Sequence, residues 1–275
     1  MSNDKYIEII KKQAATPTEI NPVTKIINNR EENSSLFRVT QFGKTFIYKI
    51  SDRNTSFRNL MLAQYLLSNG VPVPDSKIFV SGGVNFERYE QIPGITLSTF
   101  LARKMWGTSQ SFIESQTQRI LREVLAYDKK ISKISPKNEN IKKQLVLCER
   151  RKHHHTKDFG KLIADIDYAI NKKQTEYGTV ALHHVDLNPS NILLDEHGKF
   201  KAILDLDSLA LCDEYTMLAQ ILMSWPNLSI DEVVEIYKSV FYRDINTRHL
   251  KNLLIYKKIR NKTATVLRQI RNKNR

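Results

Sequence analysis

His184-Val185-Asp186-Leu187-Asn188-Pro189-Ser190-Asn191, followed further on by Ile203-Leu204-Asp205, decides how this 275-residue chain is read. Asn188-Pro189-Ser190 is turn chemistry. Beyond it, Ile192-Leu193-Leu194 and Phe200 to Leu204 are apolar runs around the polar turn Asp195-Glu196-His197-Gly198-Lys199, which predicts two short strands joined by a tight turn. Such a hairpin carries Asn191 at its entrance and Asp205 at its exit, and so brings the two together. A polar turn between buried strands accounts for Asn188-Pro189-Ser190, yet it leaves Asp186 and Asp205 as carboxylates among apolar neighbours, which is costly. Phosphoryl transfer gives them work. It needs a carboxylate beside the accepting hydroxyl and oxygen ligands that hold Mg²⁺ against the phosphates. Asp186 fits the first role, and Asn191 and Asp205 fit the second.

These residues resemble the catalytic segment of the protein-kinase-like superfamily, and within it the aminoglycoside phosphotransferase and choline kinase branch. The loop of that branch reads HxDxxxxN and is followed by an apolar strand ending in aspartate. Protein kinases usually carry Arg before the loop aspartate, then DFG and APE elements; this chain has Val185, Asp205-Leu206-Asp207 and no APE. After Asp207 it runs directly into the apolar stretch Ser208 to Met223, leaving little room for an activation loop, so a small acceptor is expected rather than a protein. The resemblance implies an α+β, bilobal protein-kinase-like fold. A small N-terminal lobe with an antiparallel sheet and a helix is expected at residues 1–93, and a larger, mainly helical catalytic and acceptor-binding lobe at 94–275. It further implies ATP, or GTP, together with Mg²⁺.

The N-terminal third is read the same way. Leu36 to Thr40 and Thr45 to Ile50 predict strands around Gln41-Phe42-Gly43-Lys44, with Lys49 late in the second. The resemblance implies that Lys49 contacts the ATP phosphates. It also makes Asn33-Ser34-Ser35 the phosphate-covering loop, where backbone amides and the Ser34 and Ser35 hydroxyls can cradle anionic oxygens. Phe57 to Asn69 predicts an amphipathic helix ended by Gly70. Where the family places a glutamate that pairs with the lysine, this chain has Asn59, and no acid occurs from Arg53 to Pro74. Lys49 must then be oriented otherwise, with Asn59 and Gln64 the candidates. Lys77 to Val80 and Asn85 to Gln91 predict a further strand pair leading into Ile92-Pro93-Gly94, which resembles the interlobe hinge, with adenine bonding to the backbone near Glu90 and Ile92. A second departure is Met217, where the family commonly has an aspartate bracing the catalytic loop.

Composition fits a folded enzyme, with 41% hydrophobic residues. Met1-Ser2-Asn3-Asp4-Lys5 has no secretory pattern and no apolar run reaches spanning length, so a cytoplasmic protein without a transmembrane segment is expected. Two cysteines, Cys148 and Cys212, make no disulfide framework. His153-His154-His155 lacks metal-ligand spacing and reads as a basic solvated turn.

Charge is unevenly spread. Residues 1–93 carry +3, 94–180 carry +8, 181–250 carry −6 and 251–275 carry +9, within a total of +14. An acidic catalytic segment in a basic chain suits a centre completed by a metal–nucleotide. The basic C-terminus, with Leu253, Leu254, Ile259, Val266, Leu267 and Ile270 as an apolar side, reads either as a solvated helical face or as a contact for an anionic partner, namely a lipopolysaccharide or membrane surface, or RNA. Polycationic aminoglycosides call for acid beyond the catalytic carboxylates, and only Asp213, Glu214, Asp231, Glu232 and Glu235 offer it. The expected activity is transfer of the γ-phosphate of Mg-ATP to a hydroxyl of a small molecule or sugar. Kinases of the lipopolysaccharide or glycan core are an alternative, as are a nucleotide-binding pseudokinase, suggested by Asn59 and Met217, and a nucleic-acid-associated kinase, suggested by the basic end.

Overall fold

The computed structural model describes residues 3–13, 19–22, 25–27, 30–32, 36–51, 53–104, 107–134, 180–225 and 227–273. Two compact units meet at Pro93 and Gly94. Ser34 and Ser35, His153 to His155, Cys148 and Trp106 lie outside the described residues.

The first unit is built on an antiparallel sheet. Its elements are helix α1 (Asn3–Gln13), strands β1 (Glu19–Pro22), β2 (Lys25–Ile27), β3 (Arg30–Glu32), β4 (Leu36–Gln41) and β5 (Lys44–Ser51), helix α2 (Arg53–Ser68), and strands β6 (Ser76–Ser81) and β7 (Val84–Glu90). Five strands pair in the order β1-β4-β5-β7-β6. Phe42 and Gly43 join β4 to β5 with φ of 51° and 71°. Positive φ at both central residues is the turn whose twist matches that of flanking strands. On one face, Phe37, Val39, Tyr48, Val84 and Phe86 form an apolar core with Ile9 and Ile10 of α1. Helix α2 lies against β6 and β7. It buries Ser56, Arg58, Asn59, Leu62, Ala63 and Leu66. Leu67 and Gln64 are exposed, because burial follows the 3.6-residue row through Asn59, Leu62, Ala63 and Leu66.

The second unit contains β8 (Ile95–Thr96), α3 (Leu97–Lys104), α4 (Gln110–Ser132), β9 (Ala181–His184), β10 (Ile192–Leu194), β11 (Phe200–Ile203), β12 (Leu209–Cys212), α5 (Glu214–Ser224), α6 (Ile230–Phe241) and α7 (Thr247–Lys273). The strands form a three-stranded sheet, β11-β10-β8, and a β12-β9 pair. Helix α4 is central: Ile120, Leu121, Val124 and Leu125 are fully buried, each worth roughly 1.5–3 kcal/mol of apolar burial. That stripe carries the less favourable burial of Asp128 one turn further on.

Helix α7 corrects the expected apolar side of the C-terminus. Leu253 and Leu254 are buried, but Ile259 and Val266 are exposed; α7 packs against α5 and α6. The side chains of Leu267 and Ile270 lie outside the described residues. No helix among the described residues is long and apolar enough to cross a membrane.

Candidate active site

Strand β9 delivers the chain to the loop that holds Asp186. It pairs antiparallel with β12, His184 opposite Leu209, and the Val185 N–H donates to the Ser208 carbonyl at 2.8 Å. A single 3-10 turn at Pro189–Asn191 follows, with the Asn188 side chain accepting from the Ser190 N–H. The hairpin then forms as β10 and β11, Ile192 opposite Ile203. The Leu204 N–H donates to the Asn191 carbonyl at 2.8 Å, which ties the residue before Asp205 directly to Asn191.

Three amides converge on Asp186. Asn188 Nδ2 donates to Oδ1 at 3.0 Å, Gln220 Nε2 of α5 donates to the same oxygen at 3.3 Å, and Asn191 Nδ2 donates to Oδ2 at 3.3 Å and to the Asp186 carbonyl at 2.9 Å. The carboxylate is half-buried and held in one orientation by neutral donors, with no cation among these contacts. Because its nitrogen arm is committed to Asp186, Asn191 has Oδ1 as its other arm, the atom a metal uses. Asp205 is exposed and sits in the left-handed region, φ 66° and ψ 71°. Aspartate tolerates that conformation better than most residues, but it is a strained choice of the kind that concentrates at functional sites.

His184 fixes this geometry. Nε2 donates to the carbonyls of Leu204 at 3.1 Å and Asp205 at 3.0 Å. The ring is fully enclosed, and burial holds its pKa below the ordinary value despite the nearby backbone oxygens and carboxylates. A neutral imidazole with its proton on Nε2 is therefore a structural brace.

Asp128 of α4, which the sequence reading passed over, is the second brace. Its side chain is inaccessible to solvent; Oδ1 accepts from the His184 N–H at 3.0 Å and Oδ2 accepts from His183 Nδ1 at 2.6 Å. Burial alone would lower the His183 pKa, but the Asp128 carboxylate, with Glu214 and Asp213 beyond it, outweighs burial and holds it above the usual value. Met217, expected to leave the loop loosened, is fully buried in α5. A carboxylate on another helix does the bracing. Further along α4, Arg119 donates to the Gly198 carbonyl at 2.7 Å and Glu123 accepts from the Phe200 N–H at 2.9 Å. One helix thus grips both β9 and the hairpin turn. Trp225 Nε1 donates to the Leu187 carbonyl at 2.6 Å, so this indole is a buried wall of the loop.

In the first unit, Lys49 lies on β5 directly opposite Glu87 of β7. Glu87 is buried and both its oxygens accept from Asn59 Nδ2, at 3.0 Å and 3.2 Å. Gln64, the other candidate for orienting Lys49, is exposed. Glu90 ends β7, its carboxylate 3.2 Å from Lys44 Nζ, and Ile92 follows where the chain leaves the sheet. A cavity of about 600 Å³ is lined by Phe46, Arg88, Glu90 and Ile92 among others. Of its lining, Phe46, Arg88 and Glu90 alternate with Lys49 and Glu87 along their strands, while Tyr89 shares their face.

Among the described residues no group of three or more His, Cys, Asp or Glu is placed to hold a metal. Asn191 and Asp205 supply two hard oxygens, the sparse set that Mg²⁺ accepts when phosphate and water complete its shell.

The chain has a protein-kinase-like fold, with the antiparallel sheet in the first unit and mostly helix in the second, as the α+β expectation had it. The structure is similar to that of an aminoglycoside-3′-phosphotransferase of type VIII, with a TM-score of 0.64 and 14% identity over 92% of this chain and 97% of that one. It is also similar to a spectinomycin phosphotransferase in complex with ADP and spectinomycin, with a TM-score of 0.62 and 13% identity over 94% and 84%. A macrolide 2′-phosphotransferase from Brachybacterium faecium matches with a TM-score of 0.55 and 15% identity over 90% and 87%. No protein-family model and no curated protein matches the sequence.

Proposed function

We propose that this chain is a phosphotransferase that moves the γ-phosphoryl group of ATP, with GTP as an alternative donor, to a hydroxyl of a small molecule or sugar. The observation that carries this reading is the Asp186 carboxylate, held by Asn188, Asn191 and Gln220 with Asp205 tied in beside Asn191 through the Leu204 N–H. Asp186 orients the acceptor hydroxyl and takes its proton as the phosphoryl group transfers. Lys49 contacts the nucleotide phosphates, the Ser34 and Ser35 loop covers them, and the backbone at Glu90 and Ile92 receives the base. Asn191 Oδ1 and the Asp205 carboxylate would hold Mg²⁺, whose charge offsets that of the phosphate oxygens during transfer. The named structural relatives are phosphotransferases of small molecules, which supports the reading at the level of fold.

The acid side chains outside the catalytic segment favour a neutral or anionic acceptor over a polycation. Asp213 caps α5 by accepting from the Thr216 N–H at 2.9 Å. Glu232 is committed to a reciprocal cap with Ser229 at the start of α6 and accepts from Gln118 as well. A sugar of a glycan core fits this pattern, and the basic helix α7 suits an anionic carrier surface.

The test is the thermal midpoint with ATP or GTP, with and without Mg²⁺. A ligand at about a hundredfold its dissociation constant stabilises by roughly 2.7 kcal/mol. A Mg²⁺-dependent rise is expected that Asp205→Ala removes, and Asp186→Asn is expected to keep the rise while losing turnover with any acceptor found. No rise with either nucleotide would overturn the proposal, and a rise without turnover on any acceptor would favour the nucleotide-binding pseudokinase.

A further inference from the structure

Lys49 and Glu87 are cross-strand partners on β5 and β7. Directly opposed residues of an antiparallel pair project to the same face, with Cβ atoms about 4.5–5.5 Å apart, within reach of an ammonium and a carboxylate. Glu87 is 4% exposed and Asn59 is 4% exposed, and the amide of Asn59 donates to both carboxylate oxygens. The Asn59 oxygen in turn accepts a long bond, 3.5 Å, from Nη1 of Arg58, which is also buried. A carboxylate enclosed this way is costly unless a cation shares its surroundings. The other acid near this end of β7, Glu90, points to the opposite face and meets Lys44.

We propose that Glu87 is the positioning residue for Lys49: its carboxylate, held by Asn59, fixes the lysine ammonium at the height where the nucleotide phosphates arrive. The negative charge that a helix residue could supply at position 59 is supplied instead by the neighbouring strand, and Asn59 serves as its clamp. Lys49, Arg58 and Glu87 together leave one net positive charge on this face, in keeping with an incoming anion. Register makes the device rigid, because the ladder bonds of β5 and β7 set the spacing of the two side chains without a mobile helix in between. The inference rests on the phosphotransferase reading, in which Lys49 meets phosphate.

The experiment measures the dissociation constant for Mg-ATP and the nucleotide-free thermal midpoint of the full chain and five variants. Glu87→Gln is expected to weaken Mg-ATP binding about tenfold, and Glu87→Asp, which keeps the charge, to weaken it less. The exchange variant Asn59→Glu with Glu87→Gln, which returns the carboxylate to the helix, is expected to recover most of the loss. In a Lys49→Met background, Glu87→Gln should cost nothing further, because its effect runs through the lysine; a loss as large as in the unaltered protein would mean that Glu87 acts independently and would overturn the inference. Wild-type affinity in Glu87→Gln, or an exchange variant no better than Glu87→Gln, overturns the inference and leaves the phosphotransferase reading standing. Failure of the unaltered protein to bind Mg-ATP or Mg-GTP overturns both.

Discussion

Replacing Asp128 by alanine tests whether α4 braces the catalytic loop. The carboxylate accepts from two buried donors, His183 Nδ1–H and the His184 N–H, and the alanine methyl accepts from neither. An orphaned buried donor costs roughly 1–3 kcal/mol, so two place the loss near 4 kcal/mol, in line with roughly 3–5 kcal/mol for breaking a buried charged pair. For a unit of this size each kcal/mol lowers the thermal midpoint by roughly 2–4 °C, so a fall of roughly 8–16 °C is expected. Asp128→Asn keeps the shape and one accepting oxygen, and is expected to lose about half as much by the same reasoning. Both losses are read from calorimetric or denaturant melts of the nucleotide-free protein. Because the His184 N–H lies two residues before Asp186, turnover of the folded fraction should fall as well. A midpoint for Asp128→Ala within about 2 °C of wild type would refute the reasoning, since it would mean that the two donors find other partners at no cost.

The His183 pKa is held above its ordinary value, burial opposing and the Asp128 carboxylate prevailing. A folded-state value above the unfolded one, about 6.5, stabilises fully below that pH and is lost as pH rises through the folded value. The stability gap between wild type and His183→Gln should therefore be widest near about pH 6 and shrink towards alkaline pH in denaturant melts; a gap that widens with pH would contradict the pairing. Gly94 has φ 158°, and a Cβ there would run into the Leu194 carbonyl oxygen and lie 3.1 Å from Leu193 Cγ. That carbonyl belongs to the β8–β10 pairing and cannot retreat freely, so Gly94→Ala should destabilise by at least about 2 kcal/mol, measured by the same melts.

What the sequence disclosed and what it concealed divide by distance along the chain. Asp186, Asn191 and Asp205 sit in one continuous segment, and the apolar runs between them, with Gly198 at the turn, fold back on themselves by local chemistry alone. The strand pairs around Phe42-Gly43 and Gly82-Gly83 were legible for the same reason, since short turns with positive φ are written in residue type. Helix α1 and strands β1 to β3 were not read, although Tyr6, Ile7, Ile9 and Ile10 recur at helical spacing in α1; the strands are only three or four residues each, too short to show a period. The placement of α1 depends on the apolar face of β4, β5 and β7 that it covers.

The counter-charges were hidden altogether. Asn59 and Met217 looked like defects while the site was seen as a string, since each marked a missing carboxylate at a fixed offset. The fold returns one through Glu87, 28 residues from Asn59, and another through Asp128, 55 residues from His183. Neither acid has a local signature: Glu87 falls at a polar position of an alternating strand and Asp128 interrupts an apolar helical stripe, and each would pass for a surface charge until register and packing show it enclosed. The sequence by itself determined that Asp186, Asn191 and Asp205 come together, because one loop and one hairpin need only short-range geometry. Tertiary structure decided what holds them, because a buried charge is tolerated only where distant elements bring its partners within hydrogen-bonding reach.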